Sequence, residues 1–380
     1  MKVYLDNAAT TPIASEVIDE IQPYLSNYFG NPSSTHAFGR KTKNAIEINR
    51  KKIADLIQAK NNEIIFTSGG TEADNMALRC AVYDLNVKRI ITTKIEHHAV
   101  LHTAECLRDH QNVELVFLAT DHNGNPDLVQ LESILNDKVN TLVTLMHANN
   151  EIGTLLPLNK VAHICAKYDH VFFHSDTVQT MGHYTFNLSE TPIDFLTCSA
   201  HKLHGPKGVG FLYVNHKINL NPLITGGSQE RKNRGGTENL YGIVGLGKAM
   251  EMAYENLASH QKHIQDLKSF MKEELKKIDQ RIKFNGETSP EKSLYTVLNV
   301  CFPADVCNSM LLFSLDIHGI AASGGSACSS GSNQGSHVLA ELPHQEECQS
   351  VRFSFSRFNT QEDVVFTLEK IRSIINNGNK

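Results

Sequence analysis

Lys202 lies between two short apolar runs, 194–198 and 209–214, that read as strands, with Gly205, Pro206 and Gly208 punctuating the turn between them. An amine at the end of a buried strand is costly unless it is paired or chemically used. Upstream, the strand-like run Phe-Phe-His-Ser-Asp-Thr-Val-Gln leads to Asp176 and Gln179. A strand ending in aspartate, followed by a strand ending in Ser-x-His-Lys, offers what pyridoxal phosphate requires. The amine can form a Schiff base with the aldehyde, and the carboxylate can keep the pyridine nitrogen protonated. Taken alone, Lys202 reads as a surface lysine in a hairpin; its companions reverse that.

A phosphate needs donors, and Thr67-Ser-Gly-Gly-Thr-Glu-Ala73 follows a strand and opens a helix. Free N–H groups at a helix start bind anions; Gly70 lets the backbone come close and Thr71 adds a hydroxyl. Ser199 and His201 flank the lysine as further donors. His97 follows another strand end, where it can stack on a pyridine ring, and Gln179 is within reach of a phenolic oxygen. Asn149-Asn150-Glu151-Ile152-Gly153 follows a strand ending at Met146. In an open α/β sheet the ligand sits at the carboxyl ends of the strands. Five such ends deliver Thr71, His97, Asn150, Asp176 and Lys202, a convergence that no single residue carries.

The elements that must hold these residues alternate. Strand patterns at 63–67, 89–93, 113–117 and 141–145 are separated by helix patterns, one of them marked by Ile46, Ile53 and Ile57. This predicts an α/β layer on a mainly parallel sheet of the seven-stranded type, flanked by helices. A long helix is expected from Gly242 to about 278, leading out of the large domain. The C-terminal part is mixed: strands at 296–302 and 349–355, a helix near 305–316, and a last helix opened by the capping box Thr360-x-x-Asp363. The expected division is a large domain at 15–250 and a smaller α+β domain made of 1–14 and 251–380.

Composition sets outer limits. The 380 residues carry 36 basic and 41 acidic side chains, a net charge of −5 without a basic block, so nucleic acid and anionic membranes are not expected partners. No apolar run reaches the ~18 residues of a membrane span, and the N-terminal residues do not read as a signal peptide. The eight scattered cysteines form no Cys-x-x-Cys, which suits free thiols in a reducing cytoplasm. His98 and His102, like His344 and Cys348, are spaced i,i+4 without a third ligand nearby, so no metal site is expected.

Along nearly its whole length the sequence resembles the cysteine desulfurases, members of the class V aminotransferase group of fold-type I pyridoxal phosphate enzymes. The shared motifs are Tyr-Leu-Asp-Asn-Ala-Ala-Thr-Thr-Pro (4–12), Gly-Asn-Pro-Ser-Ser-x-His (30–36) and Phe-Thr-Ser-Gly-Gly-Thr-Glu-Ala-Asp-Asn (66–75). They continue with Glu-His-His-Ala-Val (96–100), His-Ala-Asn-Asn-Glu-Ile-Gly (147–153), Ser-Ala-His-Lys-x-x-Gly-Pro-Lys-Gly (199–208), Arg-Gly-Gly-Thr (234–237) and Gly-Gly-Ser-Ala-Cys-Ser-Ser (324–330). The resemblance implies Lys202 as the Schiff-base lysine, Asp176 on the pyridine nitrogen, Gln179 on the phenolic oxygen and His97 on the ring face. It implies Gly70, Thr71, Ser199 and His201 around the phosphate, with Thr237 reaching in from the second subunit of a homodimer. Asn150 and Arg352 would hold the substrate, Arg352 gripping its carboxylate bidentately.

Cys328 sits in the Gly/Ser-rich stretch 322–336, a composition that is typically exposed and mobile. Sulfur transfer needs a thiol that visits the substrate and then an acceptor, and the resemblance makes Cys328 that nucleophile. The expected reaction turns L-cysteine into L-alanine and a Cys328 persulfide, passed on to a sulfur-acceptor protein such as an iron–sulfur scaffold. A selenocysteine lyase or another class V aminotransferase is the alternative. The chain ends soon after its last helix, where scaffold-docking members of the family usually continue, which leaves the acceptor open.

Overall fold

The computed structural model describes residues 1–304, 310–324, 335–342 and 348–378. Its centre is a seven-stranded sheet made of β2 (Ile64–Thr67), β3 (Arg89–Thr92), β4 (Glu114–Phe117), β5 (Thr141–Thr144), β6 (Val171–Asp176), β7 (Phe195–Ser199) and β8 (Gly210–Val214). The spatial order is β2-β8-β7-β6-β5-β3-β4, and only β8 runs against its neighbours. Hence β2, β3, β5, β6 and β7 all end on one edge. Strands β2, β3, β5, β7 and β8 are buried at every position, as a sheet covered by helices on both faces requires. Phe173, Phe195 and Phe211 are fully enclosed, and truncating any one to alanine is expected to cost about 3–5 kcal/mol.

Helices α1 (Ser15–Ser26), α2 (Ala37–Leu56), α3 (Gly70–Asp84), α4 (His98–Gln111), α5 (Leu128–Ile134), α6 (Leu158–Cys165) and α7 (Leu240–Glu255) occupy the chain before and between these strands and after β8. The helix expected from 242 to 278 is two helices, α7 and α8 (Leu257–Ile278), broken at Asn256. The change of packing explains the break. α7 buries Leu240, Ile243, Val244, Leu246 and Met250 in the core of the large sheet, whereas α8 offers one face, Ile264, Leu267, Met271 and Leu275, to a separate core.

That second core joins Val3 and Leu5 to residues 264–375. It lies around β9 (Lys283–Asn285), β10 (Val297–Pro303) and β12 (Cys348–Ser354), an antiparallel sheet in the order β12-β10-β9. Beside it, β1 (Val3–Tyr4) pairs in parallel with β11 (Ile320–Ala321). α9 (Leu311–Ile317), α10 (His337–Glu341) and α11 (Gln361–Gly378) complete this part. The capping box at α11 forms as expected: Thr360 N–H donates to Asp363 Oδ2 at 3.0 Å and Asp363 N–H to Thr360 Oγ1 at 3.2 Å. Of the helix expected at 305–316, residues 305–309 lie outside the described residues.

One expectation is corrected. Cys80, Cys106, Cys165 and Cys198 are free thiols, but Cys301 and Cys348 form a disulfide across β10 and β12. The antiparallel register sets Cys301 opposite Ser350 and Cys348 opposite Pro303, bringing their Cα atoms to 5.5 Å. A separation of 47 residues in sequence gave no sign of that register.

Candidate active site

At the carboxyl edge of the large sheet, a cavity of about 200 Å³ gathers Gly70, Thr71, His97, Asn150, Asp176, Gln179, Ser199, His201, Lys202 and Arg352. A larger hollow, about 450 Å³ near Leu158 and Phe186, holds none of these residues. Thr237 does not line the cavity. It sits behind the turn into α3 with Ser68, Gly208 and Arg234, where Arg234 grips both carboxylate oxygens of Glu72 at 2.9 and 3.2 Å. Cys328 lies outside the described residues.

The anion end is built by the turn into α3. Gly69 caps the helix at φ +149°, a backbone setting that L side chains rarely adopt. A Cβ on Gly70 would come within 2.8 Å of Val178 and 3.7 Å of Ser199. The turn is therefore packed tightly against these side chains, and the first N–H groups of α3 have no partner within the helix. Opposite, His201 Nδ1 pairs with Thr10 Oγ1 at 3.1 Å, and burial holds its pKa down at about 4. A neutral imidazole there is a hydrogen-bond donor, not a counter-charge.

The floor is the buried end of β6. Asp176 Oδ1 accepts the Val178 N–H at 2.8 Å, and burial, then the charge of Asp74, raises its pKa to about 7. Asp74, from α3, is also fully buried and also raised to about 7. Behind both, His174 lies 3.5 Å from Asp74 and pairs with Thr144 Oγ1 at 2.8 Å and Thr197 Oγ1 at 3.1 Å. Asp74, His97 and Asp176 bring possible ligand atoms within 4.8 Å of one another. Two carboxyls this close in a dry pocket favour a cationic guest, whether a metal ion or a protonated ring nitrogen.

His97 caps α4, and its Nδ1 accepts the Ala99 N–H at 3.2 Å. That bond puts the ring proton on Nε2. Burial, then Lys202, lowers its pKa to about 4, so His97 is neutral at pH 7. Lys202 Nζ donates to the carbonyls of Ala8 at 2.5 Å and Ala9 at 2.8 Å, and Gln179 Nε2 donates to the same Ala8 carbonyl at 3.0 Å. The N-terminal segment thus closes over the amine.

The paired amides separate by role. Asn149 is structural: its Nδ2 donates to the Ile95 carbonyl at 2.8 Å, and its Oδ1 accepts the N–H groups of Glu151 and Ile152. Asn150 lines the cavity, and its carbonyl accepts Arg352 Nη1 at 2.8 Å. Arg352, from β12, is 1% exposed, and its Nε has no partner among the described residues. Sequence reasoning missed Asp6, Asp74 and the Ala8 and Ala9 carbonyls. They act through contacts between segments far apart in the chain, for which a single sequence gives no signal. His337 was missed too; its ring packs at 4.3 Å on His98, which stacks at 4.6 Å on His102.

Comparison with known proteins settles the lineage. The class-V aminotransferase family model matches residues 3–366. The chain belongs to this family. It is 44% identical over 378 residues to a protein named cysteine desulfurase IscS from Dictyoglomus turgidum, covering 98% of this chain and 94% of that one. A solved structure of a NifS-like protein superposes with a TM-score of 0.91 at 35% identity, covering 99% and 100% of the two chains. A structure titled SspA in complex with cysteine gives 0.79 at 33% identity, covering 94% and 100%.

Proposed function

We propose that this family member is a pyridoxal phosphate-dependent cysteine desulfurase that releases alanine from L-cysteine and carries the sulfur as a persulfide on Cys328. One observation carries most of the reading: Lys202, His97 and Asp176 share a small cavity with a tight, glycine-built anion turn. The residues fit the cofactor. The free N–H groups at the start of α3, with Ser199, His201 and Thr71, would hold a phosphate, and the Asp176 carboxyl calls for a protonated ring nitrogen. When bound, the cofactor supplies an electron sink for bond breaking at the amino acid Cα.

The protein's own groups divide the remaining work. With the cofactor bound, Asp176 would hold the ring nitrogen, Gln179 the phenolic oxygen, and His97, with its proton on Nε2, the ring face. Lys202 Nζ would hold the cofactor aldehyde and, as a free amine, would serve as the base at Cα. Arg352 holds the α-carboxylate through Nε and a terminal nitrogen, beside the Asn150 amide. The Cys328 thiolate attacks the substrate sulfur. The new S–S bond forms as the C–S bond breaks, and the carbon takes up a proton to become alanine. Support for cysteine as the substrate comes from the named relatives and from the cysteine complex of a structural neighbour.

We place the protein in the cytoplasm as a homodimer, with Thr237 of one copy completing the phosphate site of the other. Its position outside its own chain's cavity favours that arrangement. The persulfide then passes to an acceptor protein serving iron–sulfur cluster or related sulfur chemistry. Alanine and sulfide measured from L-cysteine under reductant test the reading. Wild type should make both, Cys328→Ala should lose sulfide release, and Lys202→Ala should lose both products. Full sulfide release by Cys328→Ala would assign the enzyme to another class V reaction.

A further inference from the structure

Arg352 is a guanidinium buried in the middle of a strand, and such a cation is costly unless its neighbours compensate and orient it. Asp6 provides the compensating charge. Its Oδ1 accepts Arg352 Nη2 at 2.9 Å, and the same oxygen accepts Ser323 Oγ at 2.8 Å. Ser323 is itself locked against Arg352 by reciprocal backbone bonds, 3.2 Å from Ser323 N–H and 2.6 Å from Arg352 N–H. On the other side of the guanidinium, Nη1 is fixed by the Asn150 carbonyl. Two of the three nitrogens are thus already held by the protein, while Nε is buried and has no partner among the described residues.

The segment that carries Asp6 is equally constrained. Asn7 Nδ2 donates to the Ser354 carbonyl at 2.8 Å, and Ala8 N–H donates to Ser354 Oγ at 2.8 Å. One residue later the Ala8 and Ala9 carbonyls receive Lys202. Asp6 therefore sits at a joint where the β11 edge, the arginine strand and the lysine are tied to one short stretch of backbone.

From this arrangement we propose that Asp6 is a positioning residue for substrate binding. With Ser323, it sets the plane of the Arg352 guanidinium so that the unpartnered Nε and the remaining terminal hydrogens meet an α-carboxylate together. A single carboxylate oxygen engages Arg352, so the guanidinium is oriented without its donors being used up. Without Asp6, the fork would still be charged but free to rotate, and a bidentate pair depends on orientation as much as on charge. The inference rests on the reading of Arg352 as the carboxylate anchor.

The test uses the cofactor-loaded enzyme and four variants: Asp6→Ala, Asp6→Asn, Ser323→Ala and Arg352→Leu. It reads KM and kcat for L-cysteine, Kd for L-alanine from the cofactor's absorbance, and Kd for pyridoxal phosphate. Asp6→Ala should raise KM and the alanine Kd by about tenfold or more, with kcat within ~3-fold and cofactor affinity unchanged. Asp6→Asn keeps an acceptor oxygen for both partners and should restore most of the loss. Ser323→Ala should weaken alanine binding in the same direction by a smaller factor, and it decides the matter if Asp6→Ala does not fold. Unchanged KM and alanine Kd in Asp6→Ala or, if that variant is unfolded, in Ser323→Ala, overturns the proposal. So does an equal fall of kcat and cofactor affinity without rescue by asparagine. If Arg352→Leu binds alanine like wild type, the anchor reading itself fails; if it loses alanine while Asp6→Ala keeps it, only the role of Asp6 fails.

Discussion

On the sheet side of the cavity, the proposed functional groups stand at a strand end or a turn beyond it: Thr71 after β2, His97 after β3, Asn150 after β5, Asp176 at the end of β6 and Lys202 after β7. Across the cavity, Arg352 comes from a different sheet and core, and it is held by Asp6, 346 residues away in sequence, which also bonds Ser323. The sheet side is therefore rigid before any ligand arrives, because seven strands fix it. The opposite side is assembled from chain segments that meet only when both cores have formed. Cofactor retention and substrate recognition should accordingly be separable by mutation.

The largest effect should fall on the sheet side. Lys202→Ala removes the base, and alanine formation should drop by about 10²–10⁴-fold or below detection, together with the cofactor's visible band. An intact visible band at the wild-type position would break the comparison at its root. Next comes Arg352→Leu, which removes the buried charge proposed to anchor the substrate carboxylate. It should cost about 2 kcal/mol or more of binding, at least ~30-fold in KM for L-cysteine, while the cofactor stays bound. Loss of the cofactor there would show that the two sides are not independent. Gly70→Ala should do the reverse. A Cβ 2.8 Å from Val178 implies about 1–3 kcal/mol of overpacking, read as weaker cofactor binding by equilibrium dialysis with KM little changed.

The smallest effect is on pH-dependent stability, and it too belongs to the sheet side. Asp74 and Asp176 have folded-state pKa values near 7, raised by burial above the unfolded value. Their contribution to stability is present at low pH and is lost as pH rises through about 7. The buried or half-buried histidines 97, 147, 174, 183, 201 and 204 have values near 4, lowered chiefly by desolvation. Their contribution is present above the unfolded value of about 6.5 and lost as pH falls through 4. Cofactor-free protein should therefore melt at its highest temperature at mildly acidic pH. Asp74→Asn should flatten the alkaline fall in a thermal scan, and an unchanged profile would remove Asp74 from this account.

What the sequence could reveal divides along the same line. Buried strands followed by turns leave a local pattern, so the sheet and the five residues beyond its strand ends were legible from periodicity and spacing. Arg352 was not, because Val-Arg-Phe-Ser-Phe reads as an ordinary alternating strand, and the resemblance to the family was the only indication. Asp6, Asp74 and the pairing of Cys301 with Cys348 are long-range facts, fixed by register and by the docking of two cores. The break at Asn256 was hidden for a related reason: both flanking segments have helical periodicity, and only their different partners separate them.

The central claim is that sulfur leaves the bound amino acid for a cysteine of this chain. Its most direct test is mass spectrometry of the holoenzyme after one turnover with L-cysteine and no reductant, with peptides mapped after thiol blocking. The account predicts one added sulfur atom on the peptide containing Cys328, matched by one alanine, and neither in Lys202→Ala. Alanine formed with no sulfur on Cys328, or with sulfur released at the wild-type rate by Cys328→Ala, would contradict it.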